Sequence, residues 1–118
     1  MYYFVNQVGK KNGLFDYVCK ETNEIFRMDK VTETECNAID TIDAVLTVLS
    51  QSSSLKEVLD RSIKLGGDTD SVASIACGIA FFSDQYAKDL PNFLERDLEN
   101  SPFGKDYLIK LSKKLNIT

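Results

Sequence analysis

Apolar residues along this chain recur at intervals of three and four and seldom at two, which is the period of helices lying on a core. Met1, Phe4, Val5 and Val8 predict a short first helix ending near Gly9, and Leu14, Phe15, Val18 and Cys19 predict a second. The stretch "TNEIFRMDKVTETE" that follows is polar and irregular. Ile39, Ile42, Leu46 and Leu49 then line one face of a third helix, with Asp40, Asp43 and Thr47 on another. "SLKE", Ser54 to Glu57, has the form of a capping box: the serine hydroxyl takes a free amide of the first turn and the glutamate reaches back. The helix it opens buries Leu55, Val58, Leu59 and Ile63 and stops at Gly66, the usual residue for a left-handed turn.

From Asp70 to about Ser83 the pattern changes to small and apolar, with Ala73, Ser74, Ala76, Cys77, Gly78 and Ala80 in close succession. Such a helix is expected to be buried on most sides. Phe81 and Phe82 continue it as core, and Tyr2, Tyr3 and Phe4 read as helix packing. Pro91 and Pro102 suit first turns, so "PNFLERDLEN" and "PFGKDYLIKLSKKL" predict two further helices, the last carrying Leu108, Leu111 and Leu115 in one stripe. With no internal repeat or linker, the expectation is a single all-α domain over residues 1–118.

Composition narrows the function. At 118 residues, with 43% apolar and 27% charged positions, the chain can close one core. A net charge of −4 argues against nucleic-acid binding, which draws on clustered lysine and arginine. Cys19, Cys36 and Cys77 are odd in number and lack metal spacing, which points to a reducing compartment. No apolar run approaches the roughly 20 residues that cross a bilayer, so the expected location is cytoplasmic and away from membranes. Histidine is absent, which eliminates Ser-His-Asp and Cys-His nucleophiles and imidazole-bound metal within this chain. Cys77, among small apolar residues, reads as inert packing.

The oxygen-rich turn "LGGDTDS", Leu65 to Ser71, stands between two helices. Gly66 and Gly67 permit backbone angles that a side chain forbids, while Asp68, Thr69, Asp70 and Ser71 offer oxygen to one small volume. Hard divalent cations such as Mg²⁺ take carboxylates, hydroxyls and water in this manner. The same residues also suit plain helix punctuation, one aspartate capping the next helix, and residue chemistry alone makes that the more economical reading. Asp40 and Asp43 share a helix face and form a second carboxylate pair, better explained as a polar stripe.

The run "LGGDTDSVASIACGIA", Leu65 to Ala80, resembles the C-terminal metal-binding signature of the ADP-ribosylglycohydrolase family. Its flanks "AIDTIDAVLTVL", "SSSLKEVLDRSIKL" and "LPNFLERDLEN" resemble the family helices on either side, so the resemblance covers Ala38 to about Asn100. It implies an orthogonal all-α bundle and a binuclear Mg²⁺ site that holds the ribose of an ADP-ribosyl group while water displaces the modified side chain. By that resemblance Asp68 and Asp70 are metal-ligating carboxylates, Asp70 being the better placed to bridge two ions. Ser71 is a hydroxyl ligand, Gly66 and Gly67 let backbone approach the ribose, and Thr69 positions the motif.

The chain departs from the family in one respect. The family's N-terminal motif, a threonine with two adjacent aspartates, has no counterpart, since no two acidic residues are adjacent anywhere here. What is present resembles only the C-terminal portion, at most half a metal site, with no catalytic acid or base assigned. Three accounts remain open: a half whose complement is a separate chain, a homo-oligomer, or a degenerate non-catalytic homologue that binds ADP-ribose or a protein. A bundle lacking its complement would expose apolar surface where the missing helices packed.

Overall fold

A computed structural model describes residues 1–26 and 37–115. Among them the architecture is all-α: α1 Tyr2–Val5, a 3-10 turn Lys11–Gly13, α2 Leu14–Thr22, α3 Ala38–Gln51, α4 Leu55–Lys64, α5 Thr69–Phe81, α6 Asn92–Arg96 and α7 Lys105–Lys114. No helix among the described residues is long and apolar enough to cross a membrane. Part of the polar stretch after α2, and with it Cys36, lies outside the described residues.

The core is built on α3, α4 and α5, with α5 packed against both of the others. Leu46, Val48 and Leu49 of α3 meet Leu55 and Val58 of α4 and Val72, Ala76 and Ala80 of α5, and Tyr3, Phe4 and Leu14 close one end. Small residues at 72, 76 and 80 recur every four positions, which brings the α5 backbone close to its neighbours.

Helix ends are satisfied as the sequence leads one to expect, with additions it does not announce. The Ser54 hydroxyl accepts from the Glu57 amide at 3.2 Å, and the Glu57 carboxylate accepts from the Ser53 amide at 2.8 Å. The segment after α5 returns along this same end: Ala87 pairs with Ser54 as an isolated parallel bridge, and the Asp89 carboxylate accepts from the Lys56 amide at 2.9 Å. Donors close the other ends. The Tyr86 hydroxyl donates to the Leu49 carbonyl at 2.8 Å, and the Lys88 ammonium donates to the Ala80 and Ser83 carbonyls. These bonds supply partners that the last turns of α3 and α5 cannot find within themselves.

Several expectations about faces are corrected. On α3, Ile39 and Ile42 are exposed while Asp43 and Thr47 are buried; the Thr47 hydroxyl bonds back to the Asp43 carbonyl at 2.7 Å, which lets it enter the core. On α4, Ile63 is exposed and Ser62 is fully buried, its hydroxyl satisfied by the Val58 carbonyl. α5 is not buried on most sides: only Val72, Ala76 and Ala80 are, whereas Ile75 and Phe81 are exposed and Phe82 is half-buried. α1 ends at Val5 rather than near Gly9, and of its aromatics Tyr3 and Phe4 join the core while Tyr2 does not. Pro91 is the cap residue of α6, and Pro102 lies in the turn before Gly104 rather than inside α7. α6 and α7 bury no residue of their own, so the stripe Leu108, Leu111 and Leu115 faces outward.

Candidate cation site at the start of α5

α4 hands over to α5 through two left-handed glycines, Gly66 at φ 76° and Gly67 at φ 69°. A side chain at Gly66 would meet nothing within 4 Å, so the need there is for backbone freedom and not for space. Asp68 follows at φ −77° and ψ 59°, with the Thr69 amide donating to the Gly67 carbonyl at 2.9 Å. This is an inverse γ-turn centred on Asp68. It turns the chain into α5 in a single residue.

The γ-turn decides which aspartate serves the helix. Asp68 occupies the cap position, yet its carboxylate takes no helix amide. Asp70, in the first turn of α5, is the carboxylate on which the Asp70 and Ser71 amides and the neighbouring Asp68 carboxyl act. The Asp68 side chain beside it, followed by those amides, holds the Asp70 carboxyl below the usual carboxylate range. The two carboxyl groups therefore stand together, one engaged with the backbone and one not.

An open cleft of about 460 Å³ lies beside them, lined by Asp68, Ser71 and Ile75 from the α5 end and by Asn37, Thr41 and Ile42 from the start of α3. The starts of α3 and α5 thus lie side by side. Asp68 and Ser71 line this cleft; Asp70 is exposed at the same turn, and Gly66, Gly67 and Thr69 are not among the lining residues. Asn37 and Thr41 were not singled out by sequence reasoning. Asn37 had a signal, since it stands three residues before Asp40 in capping-box form: its side chain accepts from the Asp40 amide at 2.9 Å and donates to the Asp40 carboxylate.

The second pair, Asp40 and Asp43, does not act as a unit facing solvent. Asp40 is occupied with the α3 cap and Asp43 is buried in the α3 face. Among the described residues no group of three or more Cys, Asp or Glu side chains is arranged to hold a metal. Two carboxylates and a hydroxyl have the right chemistry for a hard cation that retains water, and they are fewer than such an ion needs for tight binding. Cys77 is half-buried beside the core and its thiol is pushed up by burial, as befits packing. No family model, no curated protein and no solved structure matches this chain, so its family reading stands on the residues Leu65–Ala80 and their flanks.

Proposed function

We propose that this chain is an ADP-ribosylglycohydrolase-type protein that presents half of a binuclear Mg²⁺ site, Asp68, Asp70 and Ser71, to the ribose of an ADP-ribosyl group. One observation carries the reading: Asp68 sits at a helix cap without capping, stands beside Asp70 and lines a cleft together with Ser71. A capping aspartate would spend its oxygens on the first amides of α5. The Asp70 and Ser71 amides instead act on the Asp70 carboxyl, which leaves Asp68 for a ligand.

Within that reading each residue has a part. Asp68 and Asp70 supply charge, Ser71 a neutral oxygen, and the glycines a backbone low enough for a sugar to approach. Mg²⁺, when bound, supplies Lewis-acid stabilisation of oxygen at the anomeric centre. The remaining carboxylates come from a complementary half. The substrate class is an ADP-ribosyl group on a protein side chain or a small ADP-ribose adduct.

A second reading is favoured by the missing third carboxylate among the described residues. It is an ADP-ribose-binding or protein-interaction module that performs no turnover. Release of ADP-ribose from a modified protein separates the two. The first reading expects no release by this chain alone and Mg²⁺-dependent release once an N-terminal portion carrying the Thr-Asp-Asp motif is co-expressed. Turnover by the chain alone would contradict the half-site. Saturable ADP-ribose binding that never becomes turnover, whatever half is supplied, would establish the second.

A further inference from the structure

The apolar surface left open by α5 continues into a trough of about 280 Å³ between α1, α2, α3 and α5, floored by Leu14, Val45 and Leu46 and walled by Tyr17, Ile42 and Ile75. Its rim is acidic. At one end Glu21 of α2 stands near Tyr17, whose hydroxyl is held above the ordinary range first by burial and then by that carboxylate. At the other, Ile42 and Ile75 are shared with the cleft beside Asp68 and Asp70. Lys20 is the one basic residue of α2.

α7 has the opposite character. Leu108, Leu111 and Leu115 recur at three and four residues, and Tyr107 widens the same stripe; all are exposed. Lys105, Lys110, Lys113 and Lys114 against Asp106 give α7 a net charge of +3, which leaves −7 on the other residues of a chain whose total is −4. An amphipathic helix with anchors at such spacing seats in an apolar groove, and opposite charge on groove and helix fixes which helix it accepts.

We infer that the chain pairs with a second copy of itself, the leucine stripe of α7 from one copy seated in the trough of the other and its lysines toward Glu21 and Asp68 near the two ends. Exchange in both directions gives a closed two-fold pair and covers both apolar faces at once. The pairing shares Ile42, Ile75 and the neighbourhood of Asp68 with the candidate cation site, and its apolar contact is supplied by neither Asp68 nor Asp70.

Sedimentation equilibrium tests it with two variants that keep helix-forming residues at exposed positions: Leu108→Gln with Leu111→Gln on α7, and Ile75→Arg in the trough. The wild type is expected at twice the 13.3 kDa of the chain, and each variant alone at the monomer mass with unchanged helical circular dichroism. An equimolar mixture of the two variants retains one intact α7 and one intact trough, and is expected to recover the doubled mass with weaker association. Raising salt from about 0.1 M to about 1 M, which shortens the screening length from about 10 Å to about 3 Å, should weaken the pair. A monomeric wild type at every loading concentration overturns the inference. So does a dimer that survives either variant, a mixture that stays monomeric, or association that tightens with salt.

Discussion

Tyr86 offers the most quantitative test of how this fold is held. Its ring is almost wholly buried at 1% exposure and its hydroxyl donates to the carbonyl of Leu49, which is equally buried in the last turn of α3. Tyr86→Phe keeps the ring and leaves that carbonyl without a donor where water cannot replace it, a loss of about 1–3 kcal/mol. For a domain of this size that is a fall in Tm of roughly 4–12 °C. The pH dependence provides a second readout. Burial pushes the Tyr86 hydroxyl up from 10.0 to about 12, so the folded protein keeps a proton that the unfolded chain releases. The stabilisation is complete below pH about 10 and is lost as pH rises from there through about 12, a change on the order of 3 kcal/mol. Urea denaturation of both proteins at neutral and alkaline pH measures the two effects, and their difference removes the titration common to both chains. A Tyr86→Phe protein within about 0.3 kcal/mol of wild type at neutral pH, or one whose stability falls as steeply in alkali, would refute the reasoning.

Two glycines should respond to alanine with opposite sign. Gly66→Ala forces a side chain into a left-handed turn and should cost about 1–2 kcal/mol, whereas Gly78→Ala, in the exposed middle of α5 with nothing within 4 Å, should add about 0.5–1 kcal/mol; thermal melts of both variants measure the contrast. The Asp89 carboxyl is held below its usual range by the Lys56 amide, so its contribution is present above the ordinary aspartate value of about 3.9 and disappears as pH falls below it. Asp89→Ala should therefore melt below wild type at neutral pH and converge with it in acid.

Helix ends were more legible in the sequence than helix faces, because caps are local chemistry while burial depends on what arrives from elsewhere. Ser54 with Glu57, and Gly66 after α4, act as their residue types dictate. The apolar period of α3 marks a stripe, but the buried face of its first half runs through Thr41, Asp43 and Ala44, so Ile39 and Ile42 remain open and Asp43 lies inward. The small residues of α5 suggest general burial, whereas in the fold they mark close approach along one line, and Ile75 stands outside it. Asp89 capping α4 and Tyr86 closing α3 join residues more than thirty positions apart, and no local pattern announces them. At the candidate site the residue types were legible. The division of labour between Asp68 and Asp70 was not, because it follows from the γ-turn.

The central claim is that the oxygens of Asp68, Asp70 and Ser71 form a place for a divalent cation. Paramagnetic broadening of backbone amide resonances by Mn²⁺ tests this most directly, since it locates the ion without requiring turnover. The account predicts broadening centred on Gly67 to Ser71, relieved by excess Mg²⁺ and absent from the Asp68→Asn, Asp70→Asn double variant, in which asparagine can still cap α5. Broadening spread over other exposed carboxylates such as Asp84 and Glu95, or unchanged in the double variant, would contradict it and leave the turn as helix punctuation.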